Sequence, residues 1–445
     1  MHGVTVIELD LDTPLDPDAA RTPPPWRYRR LGLLLTLVLL AVLGGAATPS
    51  GWAWRYLGDL PATEARIQLA GGRLFTVERS GGRRLLHAWS LRATPERLWT
   101  TEVPIDPEVG MFGPLQVTGI GGVLLVGEGR ETTVLDPGTG RVRWTAPQRM
   151  LTGSGGTGVT TEAIFRPGTL YDQDSGDPGR LYFSADAQPH TEPPLRTEVR
   201  GLDLATGERR WTFERPGSVI VEPLPDGDPA VLITSSDRLS LVDARTGELL
   251  REAALPRLDG SGPGSASLLA GVALVDYQEA GKQVGYDART LDRLWTRDLA
   301  YTLDPADCPG LLCTGDRDET LVLDPRTGKP GWRLPAADYL SPRAGYVLWT
   351  EASSGTPLRL VDARTGEPRT DLAGWGQEVT APPERMLVLL RGNRGGGQVF
   401  GAVLPGDPRV RTLGVADVEG RDCAADDWHI VCRDGARLRV WAYRE

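Results

Sequence analysis

The chain is short of the residues that most often carry chemistry. Its 445 residues include four histidines, four cysteines and only two lysines, Lys282 and Lys329. The histidines, His2, His87, His190 and His429, show none of the spacings of a metal site or a catalytic triad. No Cys-x-x-Cys pair occurs, so a thiolate metal centre is not expected. Arginine supplies nearly all the positive charge and is dispersed. The net charge of −10 argues against a general nucleic-acid binder, which needs a basic stripe. The repeat region has no sustained 3.6-residue apolar period, which excludes a helical solenoid. No catalytic, cofactor-binding or metal-binding residue is assigned.

Glycine and proline, by contrast, are plentiful at 55 and 36 residues, and they punctuate a motif that recurs. It reads Leu135-Asp136-Pro137-Gly138-Thr139-Gly140 with Trp144, and Leu202-Asp203-Leu204-Ala205-Thr206-Gly207 with Trp211. It returns at Asp243 with Gly247, at Asp287 with Trp295, at Asp324 with Gly328 and Trp332, and at Asp362 with Gly366. A strand-like run such as Thr320-Leu321-Val322-Leu323 precedes each turn. The Asp carboxylate can accept from backbone N–H groups two and three residues ahead, and the glycine can take positive φ. Each copy is therefore a β-hairpin with a loop of three to five residues. Most Asp-to-Asp steps are close to 40 residues, the length of one four-stranded propeller blade. A tryptophan on the outer strand can bury its face between neighbouring sheets while its N–H finds a backbone carbonyl. These aspartates and tryptophans are read as turn formers and packing residues.

Degenerate copies continue the pattern at Ser90 with Trp99, at Leu404-Pro405-Gly406-Asp407, and at Trp441-Ala442. Counting all of them gives up to nine units. Eight blades are expected, with seven or nine as the alternatives. The last copy stops before its outer strand, and Trp52-Ala53-Trp54-Arg55-Tyr56-Leu57 is expected to supply it and close the ring.

Leu31 to Ala47 is an uncharged apolar run preceded by Arg27, Arg29 and Arg30. It predicts a single transmembrane helix over 31–50, a disordered cytoplasmic tail over 1–30, and an exported propeller over 51–445. A cleaved signal peptide is the rival reading. The four cysteines agree with export. Cys308 with Cys313, and Cys423 with Cys432, are expected to form two local disulfides, each tying adjacent inner strands, with the second cysteine of each pair at the same place in its blade.

Three irregular segments complete the reading. Gly153-Ser154-Gly155-Gly156-Thr157-Gly158 lacks the Gly-Lys-Ser/Thr ending of a phosphate loop and is expected to be a flexible inter-blade loop. Gly392 to Gly397 reads as a hairpin turn. Extra sequence from about Arg166 to Arg196, with an acidic stretch around Asp172 to Asp177, is expected to form long loops on one rim.

The recurring Leu-Asp-x-x-Thr-Gly with its later Trp resembles the blade signature of the PQQ-like (pyrroloquinoline-quinone-like) β-propeller repeat superfamily, over residues 52–445. That grouping includes quinoprotein alcohol dehydrogenases and the non-enzymatic BamB-like branch. The dehydrogenases carry adjacent cysteines that stack on the quinone, and this chain has none. The resemblance therefore implies the non-enzymatic branch, without cofactor. The anchor and arginine-rich composition are similar to membrane-anchored actinobacterial propeller proteins. The expected function is a membrane-anchored, extracytoplasmic scaffold whose partners are the membrane and an unknown protein or ligand at the rim or funnel. The alternatives are a quinone-dependent oxidoreductase and a ligand sensor working through a membrane partner.

Overall fold

A computed structural model describes residues 52–61, 66–80, 83–103, 115–128, 131–152, 156–165, 182–183, 189–190, 194–225, 227–299, 308, 310–315, 318–336, 338–382, 385–420 and 422–444. The predicted tail and membrane helix lie outside them. Among the described residues no helix is long and apolar enough to cross a membrane.

Period-2 alternation and turn residues at the strand ends give antiparallel sheets, four-stranded in every blade but blade 6 among the described residues. In chain order, blade 1 begins with Gln68–Ala70 and ends with Glu96–Val103, and blade 2 runs from Gln116–Ile120 to Val142–Ala146. Blade 3 runs from Leu151–Thr152 to Arg209–Pro216, blade 4 from Ile220–Pro223 to Leu249–Ala254, and blade 5 from Ser265–Leu269 to Arg293–Asp298. Blade 6 has three strands among the described residues, Cys313–Gly315, Glu319–Leu323 and Pro330–Pro335. Blade 7 runs from Asp338–Arg343 to Pro368–Asp371, and blade 8 from Gln377–Val379 to Asp407–Ala416. Blade 9 comprises Cys423–Ala425, His429–Asp434, Arg437–Ala442 and, as its outer strand, Arg55–Pro61.

The ring thus has nine blades, not the eight expected. The three degenerate copies at Ser90, Leu404 and Ala442 each form a sheet of their own. They lack the full turn motif, but the strands around it keep the alternation that makes a blade. The closing strand pairs as anticipated, with Tyr56 opposite Trp441 and Asp59 opposite Arg439, but it begins at Arg55 and reaches Pro61. Trp54 lies just before it, stacked on Trp441 at 5.9 Å and on Phe400 at 5.4 Å.

First strands of successive blades touch one another, as in blades 3, 4 and 5 and again in blades 8, 9 and 1, so they face the axis. The core is a set of wedges between sheets. Phe75, Leu86 and Trp99 of blade 1 pack on Val117, Leu124 and Leu135 of blade 2. Leu239 and Leu241 of blade 4 pack on Val275, Tyr277 and Leu291 of blade 5.

One loop expectation changes. Thr157 and Gly158 belong to the strand Thr157–Ile164, which pairs with Leu151–Thr152 in blade 3, so the glycine-rich segment falls within a blade and not between blades, with 153–155 outside the described residues. The turn after Gly392 is a hairpin turn, as expected, joining Leu387–Gly392 to Gln398–Leu404. The extra sequence in blade 3 contains a small hairpin, Tyr182–Phe183 with Pro189–His190. The extra sequence runs between the middle two strands of the blade, Thr157–Ile164 and Arg196–Asp203, and most of it lies outside the described residues.

Candidate functional site

The six repeat aspartates are bound into their own turns. Asp203 Oδ1 accepts the N–H groups of Ala205 at 2.7 Å and Thr206 at 3.0 Å. The same pair of bonds recurs at Asp136, Asp243, Asp287, Asp324 and Asp362. The loop closes by Asp136 N–H donating to Arg141 O at 2.8 Å, which leaves four residues within it.

The second carboxylate oxygen has a partner in only some blades. An arginine seven residues after the Asp occupies the bulge of the outer strand and donates to Oδ2. Arg143 reaches Asp136 at 2.6 Å, Arg210 reaches Asp203 at 2.5 Å, and Arg369 reaches Asp362 at 2.9 Å. The arginine beside it, together with the turn hydrogen bonds, pulls the Asp136 carboxyl down to about 2, and the same arrangement does so at Asp362. This latch was not foreseen. The signal was available in the aligned copies, where arginine recurs at the seventh position.

The tryptophans bridge blades. Trp211 of blade 3 donates its Nε1–H to Ala244 O of blade 4 at 2.9 Å, and Trp144 of blade 2 donates to Leu204 O of blade 3 at 3.1 Å. Trp295 reaches Pro325 O at 2.9 Å and Trp332 reaches Ala363 O at 3.1 Å. Trp99 of the degenerate first copy does the same to Pro137 O at 3.0 Å. In every case the acceptor is the residue after the next blade's Asp, or its equivalent. The turn glycine of that next blade lies under the indole, as Gly140, Gly207, Gly247, Gly328 and Gly366 all show.

Cys423 and Cys432 are opposite each other on paired strands of blade 9 and are disulfide-bonded. Cys308 and Cys313 are bonded as well. Cys313 and Cys432 hold equivalent places, each on the strand that pairs with Glu319–Leu323 or Arg437–Ala442, as expected, but Cys308 lies outside any described strand. The first disulfide therefore ties a strand to the segment before it, not to an adjacent strand.

The two histidines whose side chains are described do not converge. His87 is buried in blade 1 between Thr100 Oγ1 at 2.8 Å and Glu78 Oε2 at 3.1 Å. His429 of blade 9 donates Nε2–H to Leu91 O at 3.0 Å and stands beside Asp426. Both tie strands together. Among the described residues no group of three or more His, Cys, Asp and Glu is placed to hold a metal ion.

Polar side chains also link the axial strands. Gln68 donates to Leu115 O at 2.6 Å, joining blade 1 to blade 2. The half-buried Glu222 of blade 4 accepts Leu268 N–H of blade 5 at 3.0 Å, and burial pushes its carboxyl pKa up. Arg343 of blade 7 pairs with Glu378 of blade 8.

A cavity of about 260 Å³ opens on the Asp-turn side of blade 6. It is lined by Leu311, Leu312, Asp324, Pro325, Gly331 and Trp332, and by Ala363 and Arg364 of blade 7. Its size suits one side chain rather than a drug-sized ligand. Gly331 explains why it is open: position 331 is seventh after Asp324, where Arg143, Arg210 and Arg369 close the equivalent turns.

Residues 179–334, about a third of the chain, match the family model described as outer membrane protein assembly factor BamB. That stretch carries the PQQ-like β-propeller repeat. No curated protein matches it. Solved structures similar to it include BamB from Moraxella catarrhalis, at 12% identity and TM-score 0.37, covering 88% of this chain and 100% of that one. Another is Sqt1 from Saccharomyces cerevisiae, at 12% identity and TM-score 0.41, covering 81% and 98%. A third is the quinohemoprotein alcohol dehydrogenase ADHIIG from Pseudomonas putida HK5, at 12% identity and TM-score 0.34, covering 88% and 76%.

Proposed function

We propose that this propeller is a non-enzymatic binding scaffold, tethered outside the cytoplasm by the apolar run at 31–50, that presents its Asp-turn face to a protein partner. One observation carries the reading. The repeat side chains are consumed by the ring, the aspartates in their turns and the tryptophans between blades, while a side-chain-sized cavity opens where one latch is missing. Such a rigid ring with a local opening suits recognition, since its turns are held before any partner arrives. The arginines before residue 31 support the orientation. Two disulfides fit an oxidising compartment.

The test is crosslinking of the full-length chain in its native membrane, followed by partner identification and by assay of the purified protein with quinone, calcium and an alcohol panel. The proposal expects a specific protein partner and no dye-linked oxidation. Quinone-dependent oxidation of any substrate in the panel contradicts it.

A further inference from the structure

The turn of blade 6 is built like those of blades 2, 3 and 7 but lacks one part. Asp324 Oδ1 accepts from Arg326 N at 2.9 Å, Thr327 N at 2.9 Å and Thr327 Oγ1 at 3.1 Å. No hydrogen bond or ion pair among the described residues engages its second oxygen. In blades 2, 3 and 7 that oxygen is taken by the guanidinium of Arg143, Arg210 or Arg369. In blade 6 the residue in that place is Gly331, and the space beside it is the cavity.

We infer that this cavity is a receptor for an arginine side chain of the partner protein, whose guanidinium takes the place that the chain's own arginine holds in blades 2, 3 and 7. The inference rests on the scaffold reading and specifies what the scaffold recognises. Three features support it. The turn hydrogen bonds hold the Asp324 carboxyl below its ordinary value, so it is ionised and accepting at neutral pH. The walls offer Trp332, Pro325 and Leu311 to the aliphatic stem of an arginine and to the face of its guanidinium. A Cβ built on Gly331 meets only the carbonyl oxygens of Val322 at 3.3 Å and Arg364 at 3.9 Å and no side chain, so the space beside Gly331 is not filled by a side chain of this chain. An arginine's planar fork of donors suits the Asp324 carboxylate better than the point charge of a lysine.

The rim refines the partner. Arg364 lines the cavity and is exposed, and Arg326 and Lys329 are exposed in the Asp324 turn. They disfavour a run of basic residues and favour an arginine flanked by acidic ones.

The probe is the peptide acetyl-Asp-Gly-Arg-Gly-Asp-amide, titrated by thermophoresis against full-length protein in detergent. Its control carries citrulline, which keeps the shape and removes the charge. The arginine peptide is expected to bind with a dissociation constant of about 1 mM or tighter, and the citrulline peptide at least tenfold more weakly. Gly331→Arg should restore the internal latch and weaken the arginine peptide at least tenfold. Arginine already occupies that position in three blades, so this variant should fold. Asp324→Asn, which keeps the Oδ1 acceptor of the turn, should weaken it similarly. Equal affinity for the two peptides, no binding of either, or undiminished binding by Gly331→Arg overturns the inference. A crosslinked partner that Gly331→Arg does not release removes this site and leaves the scaffold. A peptide that binds when no partner is captured does the reverse.

Discussion

The indole of Trp211 in blade 3 lies against Gly247 in the turn of blade 4. A Cβ built on Gly247 would stand 2.6 Å from Trp211 Cγ, and its φ is +74°. Two constraints therefore meet on one residue, the left-handed backbone of the turn and the approach of a ring from the neighbouring blade. Blade 4 lacks the tryptophan, having Arg251 in its place, and the next turn then lacks the glycine. Leu291 holds the position with φ +59° and is buried among blade 4 and blade 5 side chains. It fills the space that an indole takes elsewhere.

Gly247→Ala should be costly for both reasons. Left-handed φ costs an L-residue about 1–2 kcal/mol, and overpacking adds about 1–3 kcal/mol. The check is the urea midpoint of the purified protein, which should fall without a change in the far-UV spectrum. Gly406 has a similar φ of +78° and nothing within 4 Å of its built Cβ, so Gly406→Ala should lose only the backbone part.

Acid should loosen the latched turns. The Asp136 carboxyl sits at about 2 in the folded chain, below its ordinary 3.8. Its contribution is present above pH 4 and is lost as pH falls from 4 through 2. Stability of the wild type should therefore drop over that window. Asp136→Asn should flatten part of the drop, seen as a shallower dependence of the denaturation midpoint on pH. An unchanged profile would show that the latch carries no linkage.

The closing strand offers a separate test. Trp54 donates to Val415 O at 3.0 Å and stacks on Phe400 and Trp441, so it joins the outer strand of blade 9 to blade 8. Trp54→Ala should cost about 2 kcal/mol, roughly half the loss of a fully buried tryptophan. Hydrogen exchange should accelerate first in Arg55–Pro61, the outer strand it anchors, and in its partner Arg437–Ala442. Uniform acceleration around the ring would instead favour a global loss.

Removing the Cys423–Cys432 bond, which spans nine residues, by a double substitution to serine should cost about 2–3 kcal/mol. Reducing conditions also break Cys308–Cys313, so the reduced wild type should lose at least as much.

Much of the fold was legible because the repeat writes out the strand, the turn and the tryptophan in phase. The turn bonds of Asp203 and the carbonyl partner of Trp211 follow from the residue types alone. The ninth blade was harder to read because Leu91 and the Pro405-Gly406 turn replace the motif while the alternation around them persists. The candidate site was not legible as chemistry. It depends on Gly331, a residue with no functional group, whose meaning appears only when its position is compared with Arg143, Arg210 and Arg369. Leu291 is similar: a leucine in a glycine position makes sense only once Arg251 is placed in the blade before it.

The measurement closest to the central claim, that turn and tryptophan form one latch between successive blades, is a double-mutant cycle on Arg251→Trp and Leu291→Gly. Each single variant should destabilise the protein, the first by crowding Leu291 and the second by leaving a cavity. The pair should recover at least about 1 kcal/mol relative to their sum, within the range of contacting residues. Additive losses would contradict the latch and leave the recurrence of tryptophan and glycine without a shared cause.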